Sequence, residues 1–145
     1  MLAVLVFTSL SMNNVQAQKN VMMEISWYAY GATYSGLMTT YADNTGDFIV
    51  NYYRPNVGYI QVHQDVRVNT KCDGWGNCIT YLYGYNVTSD PPVAYIPDNF
   101  VIYPNGTVYT QDYNGMWSIP VTARIVPVNQ WRATLRRYGI NLKNN

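Results

Sequence analysis

The feature that most constrains the fold is a pair of cysteines, Cys72 and Cys78, separated by five residues of which two are glycines. Strand-like runs enter and leave the pair at residues 59–70 and 79–86. Glycine supplies the positive φ angles that tight hairpin loops require, so the stretch predicts the tip of a β-hairpin. Cysteines facing each other there would have Cα atoms about 4.5–5.5 Å apart, which suits a disulfide. The short loop limits its stabilisation to about 2–2.5 kcal/mol.

The alternative use of these cysteines is a metal site. Together with His63, the one histidine of the chain, they fall short of the four ligands of a structural zinc site. We therefore predict a Cys72–Cys78 disulfide, no metal and no cofactor.

The predicted disulfide also sets the register of the hairpin, because the numbers of opposite residues would then sum to 150. Val66, Val68 and Leu82 fall on the cysteine side, while tyrosines and polar residues fall on the other side. The pairs on that second side are Asp65–Tyr85, Arg67–Tyr83 and Asn69–Tyr81. Two interpretations stay open: this tyrosine side faces outward and binds a ligand, or it belongs to the core or is merely solvated.

The rest of the chain continues the strand pattern, with alternating apolar and polar residues between turn signals. Asn105-Gly106 and Asn114-Gly115 mark two further hairpins. We expect residues 31–36 to be a connection, and the Pro91-Pro92 pair to interrupt the pattern where the chain crosses between sheets. Strands are predicted at residues 24–30, 37–42, 47–53, 59–70, 79–86, 100–103, 107–111 and 116–126.

The last part of the chain has a helical pattern over residues 130–138. Trp131, Leu135 and Tyr138 share one face, Asn129 is a candidate N-cap, and Gly139 stands where a C-terminal glycine belongs. We predict an all-β protein: an antiparallel β-sandwich or an up-and-down barrel of about eight strands, with one C-terminal helix packed on the sheet or across a barrel mouth.

The N-terminus resembles an export signal. An apolar run over residues 2–10 is too short to span a bilayer, and Val15 and Ala17 suit cleavage before Gln18. We expect residues 1–17 to be a signal peptide and residues 18–145 to form a single β domain without an integral membrane segment. The other interpretation is that the apolar run is a strand of the mature protein. A disulfide fits an oxidising compartment, so we expect a secreted, extracellular or cell-surface protein, with the periplasm as the alternative.

Charge and composition exclude some classes of function. The net charge is +1 and only 12% of residues are charged, which does not favour nucleic-acid binding. His63 and Asp65 share one strand face and could form part of a hydrolase site, but no nucleophile motif accompanies them. We expect no catalytic residues and rank a small secreted hydrolase third.

The chain holds 15 tyrosines, which offer rigid contact area with a polar tip. We therefore predict a non-enzymatic recognition or adhesion domain for a carbohydrate or protein ligand, acting through a tyrosine-rich sheet face or through loops. The alternative is a structural subunit that self-associates by strand addition. The candidate binding face comprises Tyr59, Gln61, Asp65, Arg67, Tyr81, Tyr83 and Tyr85.

Overall fold

Eight antiparallel strands form a closed up-and-down barrel in which each strand pairs with the next and β8 pairs back with β1. The computed structural model describes residues 20–140; residues 1–19, with the expected signal peptide, and residues 141–145 lie outside the described range. The all-β prediction is confirmed, and the architecture is the barrel rather than the sandwich. The strands are β1 (Asn20–Ala29), β2 (Ala32–Tyr41), β3 (Thr45–Arg54), β4 (Gly58–Cys72), β5 (Cys78–Asp90), β6 (Asn99–Ile102), β7 (Val108–Gln111) and β8 (Trp117–Ile125).

The β4–β5 hairpin has the predicted register. Arg67 pairs with Tyr83 and Asn69 with Tyr81, and the ladder ends at a Cys72–Cys78 disulfide. The Cα atoms of the two cysteines lie 4.0 Å apart, slightly closer than expected. The disulfide prediction is thus confirmed.

The interior of the barrel is filled by alternate side chains from the strands, as expected for eight strands. Trp27 stacks on Tyr34 with ring centroids 5.1 Å apart, and Phe100 meets Trp27 and Phe48 edge to face at 5.3 and 5.4 Å. Val66 and Leu82 of the hairpin are buried in the same core. The aliphatic side of the hairpin therefore points inward and its tyrosine side points outward.

The expected connection at residues 31–36 is wrong, because β2 begins at Ala32 and the turn from β1 is only Tyr30-Gly31. Both turn residues have positive φ, 53° and 78°, as a two-residue hairpin turn demands. Tyrosine is not one of the residue types that mark a two-residue hairpin turn, so the sequence does not predict this turn. Gly36 lies inside β2, where a Cβ would stand 2.4 Å from a ring carbon of Phe48.

The expected crossing between sheets near Pro91-Pro92 is also wrong. β5 runs past Asn86 to Asp90 through a bulge opposite Gln64, with Asn86 at φ 52°. The bulge reverses which residues face inward, so the alternation in the sequence is broken although the strand continues. The irregular residues 91–98 then lead to β6, the neighbour of β5 in the same barrel.

The predicted C-terminal helix is present, and it packs on the outside of the barrel rather than across its mouth. A 3₁₀ turn, Val128–Gln130, precedes helix α1 (Trp131–Arg137), and Gly139 follows at φ 76°. Asn129 is not the N-cap, because the 3₁₀ turn moves the start of the α-helix to Trp131. No helix within residues 20–140 has the length and apolar character needed to cross a membrane.

Two features dock the helix. The apolar face of α1 and the residues after it cover Met22 and Leu37, which point outward from β1 and β2 yet are buried. Glu24 of β1 pairs with Arg124 of β8 and with Arg137 of the helix. The chain thereby covers one outer face of its own barrel.

Candidate binding face

A cluster of outward-facing aromatic side chains lies on strands β5 to β8 and is called the aromatic face below. Its centre is Val101 of β6, whose ladder partners are Tyr81 of β5 and Tyr109 of β7. Val101 points outward but is fully buried, because the surrounding side chains cover it. The members of the face are Tyr81, Tyr83, Val101, Tyr103, Tyr109 and Trp117.

The rings of the aromatic face are ordered against one another and remain partly accessible. Tyr81 and Tyr83 are nearly parallel, with centroids 6.0 Å apart and an interplanar angle of 5°. Trp117 is tilted by 53° against Tyr81 at 5.9 Å, and Tyr103 meets Tyr109 edge to face at 6.0 Å. All five rings are half-buried. This packing fixes their positions, while one side of each ring stays open to solvent.

Two amides lie in the same ladder rows as the rings. Asn99 of β6 pairs with Tyr83, and its Nδ2 donates to Oε1 of Gln111 at 2.9 Å. Gln111 in turn is the ladder partner of Trp117. Side-chain amides held between aromatic rings can fix the orientation of a ligand that the rings contact.

Cationic side chains border the aromatic face at β4. The Lys71 ammonium lies 5.6 Å from the ring centroid of Tyr81, and the Arg67 guanidinium lies 5.4 Å from that of Tyr85. Both contacts fall within the range of cation–π attraction. The border therefore carries positive charge that is anchored to the rings.

The predicted face is partly assembled by the structure. Arg67, Tyr81, Tyr83 and Tyr85 are outward neighbours in the β4–β5 ladder, as expected. Tyr59 is separate, because it lies ten residues along β4 from the partner of Tyr81, which is about 33 Å of strand. Tyr59 is 81% exposed and packs against Tyr53 instead.

Gln61 also lies away from the aromatic face, whereas Asp65 keeps its predicted ladder partner, Tyr85. The side chain of Gln61 donates to Oδ1 of Asn51 at 3.0 Å and lies beside the end of helix α1. Asp65 accepts a hydrogen bond of 2.8 Å from Nδ2 of Asn86. The seven predicted residues therefore do not form one continuous surface, because the strand is longer than any single site.

His63 and Asp65 are each hydrogen-bonded to another side chain and not to each other. Nε2 of His63 is 3.0 Å from Oε1 of Gln61, and Asp65 is bonded to Asn86. Within residues 20–140 no group of three or more His, Cys, Asp or Glu side chains is arranged to hold a metal ion.

A polar cluster under the edge of the aromatic face positions Asn99. Oδ2 of Asp98 accepts hydrogen bonds from Gln64 at 2.7 Å and from the hydroxyl of Tyr95 at 2.8 Å, and the main-chain N–H of Asp98 donates back to Gln64. Burial raises the pKa of Asp98 to about 6, and the two hydrogen bonds only partly oppose that rise. Burial also raises the pKa of Tyr95.

Gly84 makes this cluster possible. A Cβ at Gly84 would stand 2.3 Å from Oε1 of Gln64 and 2.7 Å from the carbonyl oxygen of Asp98. The main-chain N–H of Gly84 donates to that carbonyl at 2.9 Å, which ties the start of β6 to β5. Asn99 is therefore held beside Tyr83 by the backbone of the barrel.

Sequence reasoning identified Tyr81 and Tyr83 but missed the other four members of the aromatic face. Val101, Tyr109, Trp117 and the two amides belong to β6–β8, whose register relative to β5 has no marker comparable to the cystine. The available signal was alternation: Asn99, Val101 and Tyr103 share one side of β6, and Tyr109 and Gln111 share one side of β7. Only closure of the barrel shows that these sides continue the tyrosine side of β5.

Comparison with known proteins assigns no relative to this chain: no family model matches it, and neither does any curated protein or solved structure. The description of the fold and of the aromatic face therefore rests on the geometry of this chain alone.

Proposed function

We propose that this protein is a non-enzymatic, secreted or cell-surface recognition domain that binds carbohydrate on its aromatic face. The observation that carries the proposal is the set of half-exposed rings of Tyr81, Tyr83 and Trp117 beside the paired amides of Asn99 and Gln111. Sugar rings have apolar C–H faces that stack on aromatic rings and hydroxyl edges that exchange hydrogen bonds with amides.

The shape of the face favours a chain of sugars over a small molecule. The rings and amides are spread over the four neighbouring strands β5 to β8, at strand spacings of about 4.8 Å. Such a surface offers several weak, aligned contacts instead of one enclosing pocket. Extended polysaccharides can use contacts of that kind in succession.

A secreted location is supported by two features. The Cys72–Cys78 disulfide suits an oxidising compartment, and the apolar residues 2–10 have the character of an export signal. A protein outside the cytoplasm would meet polysaccharide in cell walls, capsules or extracellular matrices.

Strand addition, the alternative route to function, gains no support from the fold. Each of the strands within residues 20–140 has a ladder partner on both sides, so the described barrel has no wholly unpaired strand edge. The apolar residues 2–10, which could supply a donor strand, lie outside the described range.

The proposal is tested by co-sedimentation of the full chain with cellulose, chitin, peptidoglycan and starch. We expect at least one polysaccharide to retain the protein. Trp117→Ala and Tyr81→Ala should each weaken retention about tenfold, because each change removes a stacking partner that contributes about 1.4 kcal/mol.

The matched controls are Tyr59→Ala and Trp75→Ala, which remove exposed aromatic rings elsewhere on the molecule. Both should bind like the unaltered protein. Retention that is insensitive to Trp117→Ala and Tyr81→Ala would contradict the proposal, as would no retention on any polysaccharide. Hydrolysis of a polysaccharide that disappears in His63→Ala would contradict the non-enzymatic part.

A further inference from the structure

A cleft of about 610 Å³ lies outside the barrel, between helix α1 and the outer side of β1 to β5; it is called the lateral cleft below. Its volume is within the range of small-molecule sites. One end is apolar, lined by Met22, Leu37, Ile49, Trp131 and Leu135. The other end is polar and contains Tyr41, Asp47, His63, Asp65 and Asn86. The cleft shares no residue with the aromatic face.

Two carboxylates lie at the polar end, and among residues 20–140 no Lys or Arg lines the cleft beside them. Asp47 and Asp65 are directly opposite in the β3–β4 ladder, an arrangement in which like charges disfavour pairing. Each accepts a hydrogen bond from a neutral donor: Asp47 from the hydroxyl of Tyr41 at 2.6 Å, and Asp65 from Asn86 at 2.8 Å.

His63 is the one basic side chain of the described residues that lines the cleft, and its Nε2 lies 3.0 Å from Oε1 of Gln61. Among residues 20–140, no Lys or Arg lines the cleft, and neither carboxylate takes part in a salt bridge. Arg67, two residues from Asp65 on β4, lies over the ring of Tyr85. The two negative charges therefore face the cleft without compensation from a Lys or Arg of the described part of the chain.

From the apolar wall and the facing carboxylates together, we infer that the lateral cleft binds an amphiphilic cation, an ammonium group carried on an apolar chain. The ammonium would donate hydrogen bonds to Asp47 and Asp65, which relieves their repulsion. The chain would lie against Ile49 and Leu135, which are partly exposed, and its burial there removes apolar surface from water. A lysine within an apolar peptide and a free alkylamine share this chemistry.

The test is calorimetric titration of the full chain with octylammonium, with octanoate of equal chain length and with the peptide acetyl-Leu-Leu-Lys-amide. Octylammonium should bind at least tenfold more tightly than octanoate, because the two probes differ in the sign of the head group. Tighter binding of the peptide than of octylammonium would support the same site with a peptide as the source of the ammonium.

The informative variants remove charge with little change in shape. Asp47→Asn combined with Asp65→Asn should weaken octylammonium binding at least tenfold, while Asp90→Asn, a neutralised exposed carboxylate outside the cleft, should leave it unchanged. Leu135→Ala should weaken binding of octylammonium and octanoate alike, which separates the apolar contribution from the charge.

Three results would overturn the inference. The first is that neither octylammonium nor the peptide binds, and the second is that octylammonium and octanoate bind equally. The third is that Asp90→Asn weakens octylammonium binding as much as the double variant does. Binding that appears only after Lys19 and Lys143 are replaced by Gln would also overturn it, since the occupant would then be the chain itself. Failure of the polysaccharide test leaves these outcomes unaffected.

Discussion

Leu37 on β2 and Val101 on β6 both point outward from the barrel, and both are shielded from water, with exposures of 3% and 0%. Leu37 is covered by helix α1, whose apolar side chains pack against it. Val101 is covered by tyrosine and tryptophan rings that stay half-exposed themselves. An outward-pointing apolar side chain is thus shielded from water in two ways. On β2 a helix covers it, and on β6 it is covered by aromatic side chains that can still contact a ligand. In the second case the covering side chains themselves form the aromatic face.

The largest effect in this comparison should come from truncating the helix-covered position. Leu37→Ala should lower the free energy of unfolding by about 2–5 kcal/mol, because a buried leucine leaves a cavity between helix and sheet. Val101→Ala should cost less, about 1.5–2.5 kcal/mol, since fewer methyl groups are lost. Urea denaturation of both variants measures the two values.

Carbohydrate binding should show the reverse order. Leu37→Ala should keep the affinity of the unaltered protein, because the helix lies on the opposite outer face. Val101→Ala should weaken binding, because the rings of Tyr81 and Tyr109 lose the side chain between them. If Val101→Ala were the more destabilising variant and left binding intact, the two faces would not differ as described.

These two outer faces also show what could be predicted from sequence. The cystine determined the register of one hairpin, and with it the orientation of Tyr81 and Tyr83. A covalent link between two opposite residues sets the other residue pairs of that hairpin ladder up to the bulge. The helix was predictable from the spacing of Trp131, Leu135 and Tyr138. The turn at Tyr30 was not, since tyrosine is not a usual marker for positive φ. Asparagine tolerates positive φ, but an asparagine inside a strand pattern, such as Asn86, does not by itself predict a bulge.

The residues of β6 to β8 that join Tyr81 and Tyr83 on the aromatic face could not be predicted from the sequence. Asn99, Val101 and Trp117 join Tyr83 and Tyr81 only through the closure of eight strands, in which each register depends on the one before. The lateral cleft had no sequence signal at all. Asp47 and Asp65 are opposite because of the β3–β4 register, which depends on the short turn at residues 55–57.

Acidity should affect the two faces in opposite directions. Glu24, beneath the helix, has a lowered pKa: burial opposes the shift, but the hydrogen bonds from Arg124 and Arg137 outweigh it. Its stabilisation is therefore present above the unfolded pKa and is lost as pH falls. Asp98, at the edge of the aromatic face, has a pKa raised from 3.8 to about 6. Its contribution is complete below pH 3.8 and is lost as pH rises through about 6.

Asp98→Asn should remove this second dependence. In the unaltered protein, raising the pH from 4 to 7 should lower the free energy of unfolding through Asp98 by at most about 3 kcal/mol, the equivalent of the shift. The amide keeps an acceptor for Gln64 and Tyr95 but does not titrate. Urea denaturation at successive pH values compares the two proteins. An identical slope in the variant would mean that Asp98 does not titrate in this range.

A smaller effect is expected at the hairpin tip. Replacing Cys72 and Cys78 together by Ser should lower the free energy of unfolding by about 2–2.5 kcal/mol, because the closed loop is short. Carbohydrate affinity should change little, since the ladder from Asp65 to Lys71 and the buried Leu82 hold Tyr81 and Tyr83 without the disulfide. Loss of binding in a folded double-serine variant would show that the cystine, not the barrel, orders the aromatic face.

The most direct test of the account uses the four tryptophans as reporters, because they occupy four different environments. Trp27 is in the core, Trp75 at the hairpin tip, Trp117 on the aromatic face and Trp131 on helix α1. The indole N–H signals would be followed by NMR during titration with a soluble oligosaccharide of the retained polysaccharide, cellohexaose in the case of cellulose. The account predicts that the Trp117 signal shifts in a saturable way while those of Trp75 and Trp131 stay in place. A titration that moves Trp75 or Trp131 and leaves Trp117 unchanged would contradict it.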